Sequence, residues 1–193
     1  MSPAPARTSL VAIVSAARAI LESDGLSAVT MSRVAQAVGV RAPSLYKRVS
    51  DRDALVRAIA ESIVGDLSRT LERAAASDDP RADLRSVADG FRAFVLQNPN
   101  GYRLLFADLP AAASPDPATV AAIGLPIVAA MARLIGESSA LEAARTMVAW
   151  AHGFVGMELA GAFRLGGDVD AAYAFGIESL LAGVSAPESP ASR

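Results

Sequence analysis

Between Thr30 and Val49 the segment TMSRVAQAVGVRAPSLYKRV leaves the chain few ways to fold. Met31, Val34, Ala35 and Val38 recur at i, i+3, i+4 and i+7, which is one buried face of a short helix over 31–38. Gly39 stands where that helix closes, because glycine takes the left-handed conformation of a helix end without steric cost. Val40 and Leu45 carry the apolar face into a second helix over 42–49. Pro43 falls in its first turn, where the missing N–H leaves no hydrogen bond unmade. Ala35 sits where the two helices come closest, and a side chain larger than a methyl group would push them apart. The spacing is that of a helix-turn-helix, although taken alone it also fits an ordinary αα-corner.

The flanks narrow the choice. Ser50-Asp51-Arg52-Asp53 supplies a serine cap and acid in the first turn of a helix from 51 to about 75. Its stripe of Leu55, Ile59, Ile63, Leu67 and Leu71 would span about 37 Å at 1.5 Å per residue. Upstream, Leu10, Ile13, Val14, Ala17, Ile20 and Leu21 form the apolar face of a helix over 9–23, closed by Gly25. Residues 8–56, and above all GVRAPSLYKRVSDRDAL over 39–55, resemble the DNA-binding domain of the TetR family of bacterial transcriptional regulators. Gly39, Leu45, Tyr46 and Leu55 occupy family positions. Arg41 stands where the family usually has a serine or threonine cap, Arg48 where histidine is common, and Val49 where phenylalanine usually packs. The two arginines add charge to the DNA face, and the valine is expected to loosen the packing beneath it.

Beyond residue 75 the pattern stays helical, with no alternating segments, so the fold class is all-α. Ser77-Asp78-Asp79-Pro80 breaks the long helix and starts another, which buries Leu84, Val87, Ala88, Phe91, Phe94 and Val95 and stops before Pro99. A short helix over 99–107 and a proline-rich loop over 108–117 follow. Pro126 lies inside a predicted helix over 118–135 and must kink or break it, either to wrap a core or to open a cavity. Ser139 and Glu142 form a capping box for a helix reaching about 165, closed by Gly166-Gly167, and Asp168 caps the last helix. The expected organisation is a three-helix head over 1–50, a helical ligand-binding and dimerisation domain over 51–185, about nine helices in all, and a disordered tail over 186–193. Residues 1–8 are also expected to be disordered, with Arg7 either solvated or reaching DNA as an arm.

A net charge of −2 argues at first against nucleic acid, but its distribution does not. Residues 1–57 hold eight basic and four acidic groups, a net of +4. The remainder holds ten basic and sixteen acidic, a net of −6. A basic end on an acidic body turns that end toward a polyanion. If the helix over 42–49 enters the major groove N-terminus first, Arg41, Ala42, Ser44 and Lys47 face base edges. Arg41 and Lys47 suit guanine O6 and N7, Ala42 a thymine methyl, and Ser44 either base. Thr30, Tyr46 and Arg52 would hold phosphates, as the tyrosine and the basic residue at those positions do in the family. Arg33 and Arg48 suit solvent and phosphate equally.

Enzyme chemistry finds little to work with. There is no cysteine, His152 is the single histidine, no glycine-rich phosphate loop is present, and the carboxylates are scattered along solvated faces. No catalytic residue, metal ligand or cofactor is expected. His152 suits a hydrogen-bonded core position or a polar contact in a pocket better than a general base. MSPAPARTS lacks the pattern of a signal peptide, and the longest uncharged run, 117–132, is short and interrupted by Gly124 and Pro126. No membrane association and a cytoplasmic location are therefore expected.

Gly153, Gly156, Gly161, Gly176 and Gly183, with Ala160, lie inside the last two predicted helices. Each interior glycine costs about 1 kcal/mol relative to alanine, so several together call for a close helix approach. That approach lies either within the chain or between two copies of it. The TetR resemblance implies the second, a four-helix bundle across a homodimer, with the contact at Gly153, Gly156, Ala160, Tyr173, Gly176, Ile177 and Leu180. The segment WAHGFVGMELAGAFRLGGDVDAAYAFGIESLL also resembles a family subgroup whose C-terminal domain carries a Trp, His and Gly cluster, here Trp150, His152 and Gly153. Phe91, Phe94, Tyr102, Phe106, Met131, Trp150, Phe154 and Met157 are for the most part the core of the body. The resemblance implies a small-molecule cavity among them and His152, suited to a largely apolar effector with one or two polar groups. The expected protein is a homodimeric repressor that leaves a palindromic operator on double-stranded DNA when an effector binds. The alternatives are a helical dimer without an effector, acting as a constitutive DNA binder, and an adaptor that does not bind DNA.

Overall fold

The computed structural model describes residues 9–184. All regular structure among them is helical: α1 Leu10–Asp24, a 3-10 turn Leu26–Ala28, α2 Met31–Ala37, α3 Ala42–Tyr46, α4 Arg52–Ala74, α5 Pro80–Gln97, α6 Pro99–Leu105, α7 Pro117–Ala122, α8 Leu125–Ile135, α9 Glu137–Leu159 and α10 Val169–Val184. The chain forms two compact units. One comprises the residues up to Leu67 with Gln97–Ala121, the other Ser68–Leu96 with the residues from Ala122 onward. The expected partition at residue 50 is drawn differently here: most of α4, α6 and the loop after it pack with the head. Residues 1–8 and 186–193, expected to be disordered, lie outside the described residues.

In the first unit α1 buries Ile13, Val14, Ala17, Ile20 and Leu21, α2 buries Met31, Val34 and Ala35, and the first turns of α4 bury Leu55, Val56, Ile59, Ala60, Ile63 and Val64. Ser9 caps α1 by accepting the Ala12 N–H at 3.2 Å. Arg18 on α1 donates to Ser62 Oγ at 3.0 Å and pairs with Asp66, tying α1 to α4. The other end of α1 holds α6. Glu22 accepts the backbone N–H groups of Asn100 at 3.1 Å and Gly101 at 2.7 Å, and its own carbonyl accepts Asn100 Nδ2 at 2.9 Å. A Cβ at Gly101 would come within 2.8 Å of Glu22 Oε1 and 2.9 Å of Ile63 Cδ1, so any larger residue there must shift the ends of those two side chains.

In the second unit α8 packs on α9 and α9 on α10 around Leu84, Val87, Phe91, Ile127, Met131, Met147, Val155, Tyr173, Ile177 and Leu181. Asp79 caps α5 through the N–H groups of Arg81 and Ala82, with Pro80 following it. Asp83, one turn on, is only 1% exposed. Its carboxylate accepts the Ser77 N–H at 2.9 Å, the Ser77 hydroxyl at 2.6 Å and Arg133 Nη1 at 2.9 Å, while Arg133 Nη2 donates to the Ser77 carbonyl at 3.0 Å. Burial alone would raise this carboxyl; the bonds from Ser77 and Arg133 outweigh it and hold the group below the ordinary carboxylate value. Arg92 bridges α5 to both later helices. It donates to Glu158 at 2.8 and 2.6 Å and to Asp170 at 2.6 Å, with its guanidinium 4.9 Å from the Tyr173 ring centre.

Outside α3, four helix boundaries differ from expectation, each for a local reason. α4 is capped by Asp51, not Ser50: Asp51 accepts the Ala54 N–H at 2.8 Å, and Ser50 donates to the Asp51 carboxylate. The run over 117–135 is two helices, with Gly124 as N-cap of α8 and Pro126 in its first turn. By length and composition that run could cross a membrane. Divided into six and eleven residues, neither helix has the roughly 20 residues a span requires. α9 starts at Glu137 without the capping box, because Gly136, at φ 91°, ends α8 and opens α9 in one step. It stops at Leu159 because Gly161, at φ 61°, takes the left-handed C′ position, with Ala162 N–H on the Met157 carbonyl and Gly161 N–H on Glu158. Gly161 is therefore a terminator, not an interior glycine, and Gly166-Gly167 lie in the following loop.

Asp83→Asn should lower stability by about 2–3 kcal/mol, because a buried acceptor of a charged and two neutral donors is weakened. For a chain of this size that is a fall in melting temperature of roughly 4–12 °C. Since the folded Asp83 value is depressed, the wild-type advantage should be complete above the ordinary carboxylate value and vanish as pH falls through the folded one. Thermal melts of both proteins between neutral and acid pH check this.

Candidate nucleic-acid interface

α2 ends in the same way as α9. Gly39, at φ 73°, donates to the Gln36 carbonyl, and Val40 N–H reaches the Ala35 carbonyl at 2.9 Å. This double bond closes α2 and points the chain into α3, while Ala35, 2% exposed, provides the narrow contact between the helices. α3 has five residues, Ala42–Tyr46, where eight were expected over 42–49. Arg48 and Val49 N–H both bond to the Leu45 carbonyl, so the last turn tightens and the chain leaves toward α4. Leu45 is completely buried and Val49 is 4% exposed. A valine in place of the usual aromatic side chain is thus still packed into the core.

The residues expected to contact DNA are exposed or half-buried. Thr30 caps α2 by accepting the Arg33 N–H at 3.2 Å. Arg41 occupies the N-cap position of α3 without a side-chain capping bond and is exposed, Ala42 and Ser44 are half-buried, and Tyr46 and Lys47 are exposed. The basic residues of the head divide into two groups. Arg18 is paired with Asp66, Arg33 with Asp24 at 2.5 Å, and Arg57 donates to the Ala111 carbonyl at 3.0 Å. Arg52, expected on a phosphate, instead sends Nε to the Val29 carbonyl and Nη2 to the Leu26 carbonyl, both at 2.9 Å. Among the described residues of the head, the side chains of Arg41, Lys47 and Arg48 form no hydrogen bond or ion pair with protein groups. All three lie on α3 and the turn that ends it. Arg33 and Arg48, whose sequence positions suit solvent and phosphate equally, differ in surroundings: Arg33 has Asp24 as a partner. Asp24 and Asp51, held below the ordinary carboxylate value chiefly by bonds from Ser23 and from the Ala54 N–H respectively, stay ionised near neutral pH.

The residues expected around an effector fall into separate groups. In the first unit Tyr102 and Phe106 pack at a tilt with ring centres 5.1 Å apart, and Phe106 is 65% exposed. In the second, Phe91 lies 4.8 Å from His152, whose burial favours the neutral imidazole. Trp150 and Phe154 pack on each other and on Tyr173, and Phe163 closes on Phe154. Trp150 also presses on Gly176, where a Cβ would lie 2.0 Å from the indole. Trp150 and Phe154 are therefore wedged between α9 and α10. Met131 is buried, Phe94 is half-buried, and Met157 faces outward, which removes Met157 from a cavity lining. An open groove of about 540 Å³ lined by Leu125, Val128, Ala129, Ala132, Arg133 and Glu137 includes none of these residues. Of the residues expected at a subunit contact, Tyr173 and Ile177 are corrected: both are core, and the Tyr173 hydroxyl donates to the Ala88 carbonyl at 2.7 Å. Gly176 is consumed by Trp150, and Leu180 is half-buried. Gly153, Gly156 and Ala160 are exposed, and a Cβ at either glycine would meet nothing within 4 Å.

Comparison with known proteins decides the family. Residues 13–59 match the model of bacterial regulatory proteins of the tetR family, and residues 84–180, half the chain, match the tetracyclin repressor-like C-terminal domain. The chain belongs to the TetR family. This TetR-family protein is 28% identical over 184 residues to an uncharacterized HTH-type transcriptional regulator of Mycobacterium tuberculosis, covering 93% of this chain and 83% of that one. A protein of unknown function from Rhodococcus sp. RHA1 superposes with a TM-score of 0.83 at 26% identity, over 96% of this chain and all of that one. BioQ, solved with its natural double-stranded DNA operator, is 25% identical with a TM-score of 0.62, over 92% and 98% of the two chains. The protein is a transcriptional regulator with an N-terminal helix-turn-helix and a C-terminal helical domain.

Two glycines of the TetR head should respond differently to alanine. Gly39→Ala meets open space and pays only for a left-handed backbone, about 1–2 kcal/mol. Gly101→Ala must instead displace the ends of the Ile63 and Glu22 side chains, roughly 1–3 kcal/mol, as overpacking does. Denaturant unfolding of the two variants ranks them.

Proposed function

We propose that this regulator is a homodimeric repressor that reads a palindromic site with α3 and leaves it when a largely apolar effector binds. The observation that carries the DNA part is the cluster of three cations without protein partners, Arg41, Lys47 and Arg48, on α3 and its closing turn. Charges left unpaired on one short exposed surface suit a polyanion, and the operator complex of BioQ supports the same use of the fold. Arg41, Ala42, Ser44 and Lys47 read bases, while Thr30, Tyr46 and Arg48 hold phosphates. Arg41→Ala should relax sequence preference, costing about 1–3 kcal/mol on the preferred site and little on others. Tyr46→Phe should weaken binding to all sequences alike. Anisotropy titrations on a panel of operator variants test both; equal losses across the panel for Arg41→Ala would remove its base-reading role.

The dimer is supported by the exposed side of α9, where Ala149, Gly153, Gly156 and Ala160 follow one another at spacings of four, three and four. Gly176 is matched to Trp150 within the chain, whereas Gly153 and Gly156 face open space, so their helix cost finds no compensation in the single subunit. Two such faces crossing allow backbones to approach closely, and exposed Met157 and Phe175 add apolar area beside them. Gly153→Leu should leave the helical circular dichroism intact while shifting sedimentation from dimer to monomer. A dimer as tight as wild type would place the contact elsewhere. For the effector, the half-buried His152 beside the buried Phe91 offers a neutral imidazole next to an aromatic ring. The packing of Trp150, Phe154 and Tyr173 on one another favours the second view, a dimer without an effector. A thermal-shift screen of apolar compounds separates the two, since a ligand raises the melting temperature by mass action.

A further inference from the structure

We propose that Arg52 is a positioning residue of the DNA-binding head, acting through the backbone before α2 and not through a phosphate; this rests on the DNA-binding role of α3. Arg52 is the first residue of α4, the helix that follows α3. Its Nε and Nη2 each lie 2.9 Å from a carbonyl oxygen in the segment that precedes α2, those of Val29 and Leu26. The whole helix-turn-helix, residues 30–51, therefore lies between two backbone points joined by one side chain. Thr30 follows directly on the clamped Val29 and sets the start of α2 through the Arg33 N–H. Val29 itself is completely buried, so the clamp closes over core and not over a loose loop.

Two physical points favour this use of the side chain. A cation in the first turn of a helix opposes the helix dipole, and carbonyl acceptors facing the guanidinium offset that penalty. The guanidinium is also planar, with donors at fixed angles, so it can span two carbonyls at once. A lysine ammonium at the same place is a single point on a flexible stem and can hold only one of them firmly. The two roles therefore make opposite demands on the conservative substitution. A phosphate contact needs a positive charge, which lysine keeps. A two-carbonyl clamp needs the fork, which lysine lacks.

The test uses the full chain, a labelled mixed-sequence duplex and the variants Arg52→Lys, Arg52→Gln and, as a phosphate reference, Arg48→Gln. Binding is followed by anisotropy over a salt series, and amide exchange is followed over residues 26–34. Arg52→Lys is expected to bind about tenfold more weakly with an unchanged salt slope and to exchange faster over 29–34. Arg48→Gln should lower the slope by about 0.9 with normal exchange. Wild-type affinity and exchange in Arg52→Lys, with a slope lowered by about 0.9 in Arg52→Gln alone, would overturn the proposal and return Arg52 to a phosphate. Should the wild-type chain bind no duplex, the DNA-binding role fails separately, and exchange alone decides the clamp: lost protection in Arg52→Lys supports it and unchanged protection overturns it.

Discussion

Five residues of helix do not hold their shape in water, since one turn costs more conformational entropy than its hydrogen bonds return. α3 exists because Leu45 and Val49 are buried in the core of the first unit and because Gly39 hands the chain over from α2 in a fixed direction. Burial does two things at once here. It pulls the apolar side of α3 inward with Ala35, and by elimination turns Arg41, Lys47 and Arg48 outward. The DNA-facing charges are thus oriented by side chains that touch no DNA. Where a long helix could carry its own side chains, this one borrows its rigidity from α1, α2 and α4.

The same economy governs the arginines. Arg18, Arg33, Arg52 and Arg57 are all in the basic half of the sequence, yet each is occupied by a carboxylate, a hydroxyl or a backbone carbonyl of its own unit. Net charge alone would have counted all of them toward a polyanion. In the second unit Arg92, Arg133, Arg81 and Arg85 are engaged likewise, and Glu178 is held down to about 2 by Arg85 and Arg81. A guanidinium with five donors finds acceptors wherever helix ends and acidic side chains approach it. What sets α3 apart is the lack of acceptors around it.

Periodicity made the helices legible, because the stripe of α4 and the spacing around Ala35 record a buried face directly. Helix ends were read well where a single glycine or aspartate decided them, as at Gly25, Gly39, Asp79 and Asp168. They were misread where two signals competed. Gly161 and Gly166-Gly167 are equivalent as letters, and only the bonds of Ala162 and Gly161 to Met157 and Glu158 show which ends α9. Ser139 and Glu142 spell a capping box that Gly136 pre-empts. Long-range polar contacts were out of reach altogether. Nothing near Asp83 in sequence announces Arg133, and nothing near Arg52 announces the carbonyls of Leu26 and Val29. Resemblance to a family supplied positions for the DNA face, but for the subunit contact it named Tyr173 and Ile177, whose apolar spacing reflects the chain's own core.

The joint between α1 and α6 has a mechanical meaning. Glu22 grips two successive amides of α6, Asn100 grips back, and Gly101 fits so closely against Ile63 that no slack remains. Such a mortise resists sliding in every direction. Any push delivered to Pro99–Gly101 must either shear three bonds or carry the C-terminal end of α1 with it.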